Sequence, residues 1–196
     1  AGCWNYYRRP GEPVSGVVCY PRTGPPGSFQ FGDMVRLRYV RQRGDGELLH
    51  FPGVYVEADF ADVDGDGLVD LVFVQRGGRQ VGIYLNTGTR DSGGWPVFVQ
   101  DRAVPLPFEF ASGLRAVDLE DSGQLGLVAN GAWMPGALSR GQNVAAVEAT
   151  DLGSGAMVDF LDVTGSGRLD MICGSGGAGR SGERFAAGVT WRPLTG

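Results

Sequence analysis

The sequence predicts an all-β fold assembled from repeated strand–loop–strand units, on three observations. The 196 residues include 34 glycines and 11 prolines, a composition that disfavours helices because each interior glycine costs about 1 kcal/mol relative to alanine. Apolar and basic residues alternate over 35–40, and the apolar run 71–74 follows a turn-rich segment; both patterns are typical of strands. A twelve-residue segment also recurs along the chain, which is typical of repeat architectures.

Charge and composition exclude several functional classes. Acidic residues outnumber basic ones by 22 to 17, for a net charge of −5, which argues against general nucleic-acid binding. Every basic residue is an arginine, so a P-loop lysine and a lysine Schiff base are excluded. The single histidine, His50, leaves little scope for a multi-histidine zinc site. No apolar run approaches the roughly 18 residues that span a bilayer, so we expect no transmembrane segment.

The repeat is the most informative feature of the chain. Asp59–Asp70 recurs as Asp159–Asp170 with seven of twelve positions identical, and a more divergent copy covers 116–128. A strand-rich period of about 40 to 55 residues, punctuated by glycine, is typical of β-propeller blades. The fold class predicted is therefore an all-β propeller, with about four blades in this chain and aspartate-rich calcium loops between strands. The loops of the three copies begin at Asp62, Asp118 and Asp162.

The first copy carries the pattern of a calcium loop. Carboxylates stand at positions 1, 3, 5 and 9, and the glycine at position 6 permits a sharp turn; calcium favours such a set of hard oxygen ligands. The backbone carbonyl at position 7 is a further predicted ligand. Position 12 is Phe73 instead of the glutamate of an EF-hand, and the flanks are β-like. The predicted ligands are Asp62, Asp64, Asp66, Leu68 and Asp70.

The other two copies are weaker versions of this pattern. In the third copy two carboxylates remain, so weaker calcium binding is expected; its predicted ligands are Asp162, Thr164, Ser166, Asp170 and, by its backbone carbonyl, Arg168. The middle copy keeps Asp118, Glu120 and Ser122 but has Gly126 at the closing position. We expect a turn that keeps its shape without metal there, and whether it holds metal stays open.

The three cysteines have different surroundings. Cys3 and Cys19 bracket a segment rich in proline, glycine and arginine, where a disulfide would contribute about 3 kcal/mol by restricting the unfolded chain. Two free thiols are the alternative. Cys173 follows an apolar run, so it is expected to be a core residue.

The aspartate loop followed by a strand, repeated at blade spacing, resembles the FG-GAP/VCBS repeat family. The segment Val81 to Gly88, with its Tyr-Leu-Asn-Thr-Gly, is similar to the strand and turn that follow the loop in bacterial members. The resemblance implies a propeller of the integrin alpha-subunit type that holds calcium in these loops. Residues 31–196 would form the blades, and 1–30 an irregular extension or a partial blade.

These features together predict a calcium-binding, extracytoplasmic module for adhesion or for interaction with a protein or a glycan. The chain would be secreted, periplasmic or on the cell surface, and would associate with itself, with a partner chain, or as part of a longer protein. One alternative is a glycan-binding lectin that uses Trp95 and Trp133, which lie in glycine-rich segments. Another is a non-catalytic domain of a secreted enzyme or toxin complex. No catalytic residues are predicted, because the metal loops account for the acidic clusters.

Overall fold

The computed structural model describes residues 16–51, 55–141, 148–152, 157–175 and 188–193. These residues form an all-β fold with a curled sheet, which confirms the all-β part of the prediction; the arrangement in propeller blades stays a prediction. The chain divides into two compact units, Ala1–Val104 (unit 1) and Pro105–Gly196 (unit 2). Cys3 lies outside the described residues, and so does its predicted pairing with Cys19. No helix among the described residues is long and apolar enough to cross a membrane.

Unit 1 contains a strand pair and a six-stranded sheet. The pair joins the first two strands, and the sheet has the order β4-β3-β8-β7-β6-β5. The strands are β1 Val18–Cys19, β2 Val35–Arg36, β3 Arg38–Val40, β4 Leu49–His50, β5 Val56–Ala61, β6 Asp70–Gln75, β7 Gln80–Arg90 and β8 Pro96–Pro105, which ends one residue past the unit.

An aromatic cluster forms the core of unit 1. Phe51 is fully buried, and its ring lies 4.9 Å from that of Tyr39 and 4.8 Å from that of Tyr84. Phe73 and Phe98 pack on the same ring. Burial, with a smaller effect from Tyr39, raises the pKa of Tyr84 to about 12. Aromatic residues on β3, β6, β7 and β8 therefore hold this sheet together.

The alternating segment 35–40 forms two short strands. The alternation predicts a strand there, and the structure divides the segment into β2 and β3. On one side β3 pairs with β4, and on the other it pairs in parallel with β8, with Tyr39 opposite Phe98. β3 is therefore paired on both sides within unit 1, and its parallel pairing with the distant β8 is a contact that the local alternation does not contain.

Unit 2 contains a four-stranded antiparallel sheet with the order β12-β11-β10-β9 and a three-stranded one with the order β13-β14-β15. Val128 and Trp133 of the first sheet share a core cluster with Val158, Met171 and Cys173 of the second. The prediction that Cys173 is a core residue is confirmed. The strands are β9 Arg115–Val117, β10 Gly126–Ala129, β11 Ala132–Met134, β12 Thr150–Asp151, β13 Met157–Leu161, β14 Asp170–Ser175 and β15 Gly188–Pro193.

The three aspartate loops occupy the same topological position. Each connects two adjacent antiparallel strands, and each spans eight residues: 62–69 (the first loop), 118–125 (the middle loop) and 162–169 (the third loop). The register is also the same, since the strand pairs that close the loops are Ala61 with Asp70, Val117 with Gly126, and Leu161 with Asp170. The sequence repeat is thus a structural repeat.

Candidate functional site

The first loop is built around a buried carboxylate at its closing end. Asp70 is the first residue of β6 and is fully buried. Its Oδ2 accepts a hydrogen bond from the Val63 N–H at 2.9 Å, and its Oδ1 accepts one from the Asn86 N–H at 2.7 Å. A buried carboxylate needs such partners, because an unpaired charge away from water is costly. Asp70 therefore links the start of the loop to β7.

Asp62 shapes the other end of the loop. Its two carboxylate oxygens accept hydrogen bonds from the N–H groups of Gly65, Asp66 and Gly67, at 2.8, 3.1 and 2.9 Å. Gly65 and Gly67 have φ values of +79° and +84°, in the left-handed region that glycine adopts without steric cost. These two glycines allow the chain to wrap its N–H groups around one carboxylate.

The loop brings three acidic side chains to one point. One carboxylate oxygen from each of Asp62, Asp64 and Asp70 lies within 4.8 Å of the others. Asp66 is outside this group, and its Oδ1 accepts a hydrogen bond from the Leu68 N–H at 2.8 Å. The structure thus gathers three of the four predicted carboxylates, all hard oxygen donors that suit a divalent cation.

The electrostatics of the cluster favour a cation. Burial raises the pKa of Asp70, the N–H groups of Asn86 and Val63 lower it, and the negative charges of Asp64 and Asp66 raise it again; the net direction is upward from 3.8. Ionisation of Asp70 therefore costs more here than in a free aspartate. A bound cation would reverse this effect by compensating the charges of all three carboxylates.

The third loop repeats this framework with fewer charges. Asp170 is buried and its Oδ2 accepts the Val163 N–H at 3.0 Å, as Asp70 does with Val63. The Thr164 hydroxyl donates to the same oxygen at 3.2 Å. Asp162 accepts the N–H groups of Ser166 and Gly167. Thr164 thus occupies the place of Asp64, so this loop presents two carboxylates and a hydroxyl.

The middle loop keeps the turn but loses the closing carboxylate. Asp118 accepts the N–H groups of Glu120, Ser122 and Gly123. Burial acts to raise the pKa of Asp118, but these N–H groups, with the Ser122 hydroxyl, hold it below its ordinary value. Asp121, which is equivalent to Gly65 of the first loop, has a φ of +52°. The loop conformation therefore persists in the copy that diverged most.

Steric exclusion explains the glycine that closes the middle loop. A Cβ at Gly126 would collide with the Trp133 ring and would lie 2.7 Å from the Met134 carbonyl oxygen. The indole of Trp133 thus occupies the space that an aspartate side chain needs. The predicted shape of this loop is observed, and the tryptophan across the strand pair prevents a closing carboxylate.

The two tryptophans considered for glycan binding lie in different environments. Trp133 is in β11 and is 6% exposed, packed in the core of unit 2, so it presents no ring face to a sugar. The glycine-rich sequence around it suggested a loop, but Gly131 and Gly136 have positive φ values and form the turns that flank β11. Trp95 is half-buried in the turn before β8.

Asn86 is a residue that the sequence analysis did not assign to the site. Its backbone N–H binds Asp70, and its side-chain amide donates to the Val69 carbonyl at 3.1 Å. Asn86 therefore fastens the closing end of the first loop to β7. The Tyr-Leu-Asn-Thr-Gly segment marked this position, but the pairing of β6 with β7 was needed to place it beside Asp70.

Comparison with known proteins adds no relative: no protein-family model, no curated protein and no solved structure matches this chain.

Proposed function

We propose that this protein is a calcium-binding, β-rich interaction module of the FG-GAP/VCBS repeat type that works outside the cytoplasm. The observation that carries the proposal is the convergence of Asp62, Asp64 and Asp70, whose carboxylate oxygens lie within 4.8 Å of one another. In this proposal the three carboxylates hold the ion, with the Leu68 carbonyl and Asp66 as further oxygen donors.

Calcium is the ion that best suits this donor set. Every donor is an oxygen, and most are carboxylates on a loop with two glycines at positive φ. Calcium accepts six to eight oxygens in flexible geometry, whereas magnesium requires near-ideal octahedral geometry and keeps several waters. The absence of histidine and cysteine from this cluster disfavours zinc.

The role proposed for the ion is to stabilise the module. Binding energy at a loop that closes two strands contributes directly to folding energy. The first loop joins β5 to β6, and Asn86 ties it to β7, so a bound ion would stabilise three strands of the unit 1 sheet. Extracellular calcium modules with dissociation constants of about 10⁻⁴–10⁻³ M rely on the calcium concentration of that compartment.

The shared position of the three loops supports a repeat assembly. We propose blades of a propeller, about four in number, and contact of the module with a protein or a glycan partner through its loops. In this proposal the third loop binds calcium more weakly, because Thr164 replaces one carboxylate, and the middle loop is a metal-free turn.

Thermal unfolding in calcium and in chelator tests the proposal. Calcium at 100 times its dissociation constant stabilises a protein by about 2.7 kcal/mol, so we expect a rise of several degrees in the melting temperature. Asp64→Asn should remove most of this rise. Glu120→Gln, the equivalent change in the middle loop, is the matched control and should retain it. A wild-type melting temperature that millimolar calcium leaves unchanged would refute the proposal.

A further inference from the structure

An open apolar cleft lies in unit 1, with a volume of about 770 Å³. This volume lies within the range of about 300–1,000 Å³ that is typical of small-molecule sites. Its walls come from β1 and the segment after it, the residue between β2 and β3, β5, the end of the first loop, β7, and β8 with the turn before it. Ten of its eleven described lining residues are apolar or aromatic. These residues are Val18, Cys19, Tyr20, Phe31, Leu37, Phe60, Val69, Asn86, Trp95, Pro96 and Phe98.

The cleft has a buried floor and an exposed rim. Leu37 and Phe98 are part of the core of unit 1. At the rim, Phe31 is 60% exposed and Val69 is 52% exposed. Several large apolar side chains therefore meet water around one concavity. Covering such a surface is favourable by about 25 cal/mol per Å² of apolar area removed from water.

The side-chain amide of the cleft already has partners. The Asn86 side chain donates to the Val69 carbonyl and accepts the Gly88 N–H at 3.1 Å. None of the described lining residues carries a charge. Val69 is also the last residue of the acidic first loop, so negative charge borders this wall and disfavours an anionic ligand. An uncharged apolar molecule is the ligand class that these walls fit.

The wall that carries Trp95 is held in place by a buried carboxylate. The Oδ1 of Asp91 accepts the N–H groups of Gly93 and Trp95, at 2.8 and 3.1 Å. The Asp91 side chain is 3% exposed, and its Oδ2 lies 3.6 Å from the Arg38 Nη2. The turn is thus fixed before any ligand arrives, and a preformed wall lowers the ordering cost of binding.

From this geometry we propose that the cleft is a binding site for a small, uncharged apolar molecule with an aromatic body. Five aromatic rings line it, so a ligand ring can make offset or edge-to-face contacts in addition to burying apolar surface. The rings belong to Tyr20, Phe31, Phe60, Trp95 and Phe98. The lining contains none of the three gathered carboxylates, so probe titration and calcium titration test the two proposals separately.

The test is titration with N-phenyl-1-naphthylamine, an uncharged aromatic probe whose fluorescence rises in apolar surroundings. The wild-type protein should bind it saturably with one probe per chain. Phe31→Ala should weaken binding by about tenfold, which corresponds to about 1.4 kcal/mol, because the probe would cover part of the apolar surface of this ring. Phe29→Ala is the matched control, because Phe29 is 92% exposed and does not line the cleft; the affinity of this variant should equal that of the wild type.

Other results would overturn the proposal. Absence of saturable binding by the wild-type protein would do so, as would equal losses in both variants when circular dichroism shows that both are folded. Light scattering distinguishes a further occupant: a wild-type dimer that Phe31→Ala converts to monomer would mean that a second copy covers the cleft, against the proposal.

Discussion

The first and middle loops have the same length, register and turn, and they differ at the residue that closes them. In the first loop Asp70 is buried and turned toward Val63 and Asn86. In the middle loop the equivalent residue is Gly126, and the Trp133 ring fills the space beside it. The comparison shows that the turn depends on its first aspartate, which gathers N–H groups in both loops. The clustering of carboxylates requires an aspartate at the closing position. That position can hold an aspartate only where no bulky side chain of the neighbouring strand fills the space beside it.

The largest effect is expected from placing the missing aspartate in the middle loop. Gly126→Asp would force a side chain into the Trp133 ring, and overpacking of this kind costs about 1–3 kcal/mol, occasionally more. A carboxylate enclosed there would add a desolvation cost. We expect unfolding in urea at a clearly lower midpoint, with no gain of a calcium site. Wild-type stability in this variant would mean that Trp133 does not block the position.

A smaller effect is expected from the backbone of the first loop. Gly65→Ala places a Cβ at a φ of +79°, where no atom lies within 4 Å, so any cost comes from backbone strain alone. The left-handed conformation costs an L-residue about 1–2 kcal/mol. The control is Gly46→Ala, which also has open space but no positive φ. Chemical unfolding in chelator should show the loss only for Gly65→Ala, and equal stabilities for the two variants would contradict the strain argument.

The smallest effect concerns the carboxylate that shapes the middle loop. The pKa of Asp118 is lowered below 3.8 by N–H groups that bind the ionised form. Its contribution to stability is therefore fully present above 3.8 and is lost as the pH falls through the lower, folded-state pKa. Asp118→Asn should reduce the urea midpoint slightly at neutral pH and leave it unchanged in strong acid. An equal reduction at both pH values would mean that ionisation of Asp118 is irrelevant to the turn.

The sequence predicted the parts of this molecule that depend on local spacing. The glycine five residues after Asp62 predicted the turn, and the alignment of Asp62, Asp118 and Asp162 predicted three loops in one register. The position of Asp66 outside the group of three carboxylates could not be predicted. It depends on which loop N–H groups bind Asp62 and which bind Asp66.

Features that depend on which side chains meet across paired strands were beyond the sequence analysis. The collision that a side chain at position 126 would make with Trp133 requires the pairing of β10 with β11. The apolar cleft requires residues from 18 to 98, which meet because β3 pairs in parallel with β8. The parallel pairing of β3 with β8 leaves no periodic or compositional signal, since each of the two segments reads only as a short apolar strand. The β10–β11 hairpin does leave one, the Asn130-Gly131 turn, but the packing of the Trp133 ring against position 126 cannot be deduced from that turn.

Calorimetric titration of the chelator-treated protein with calcium tests the central claim most directly. The account predicts one tighter site, a second and weaker one at the third loop, and no site at the middle loop. Asp64→Asn should abolish the tighter site, and Glu120→Gln should leave the titration unchanged. A wild-type protein that takes up no calcium at millimolar concentration, or an Asp64→Asn variant that titrates like the wild type, would contradict the account.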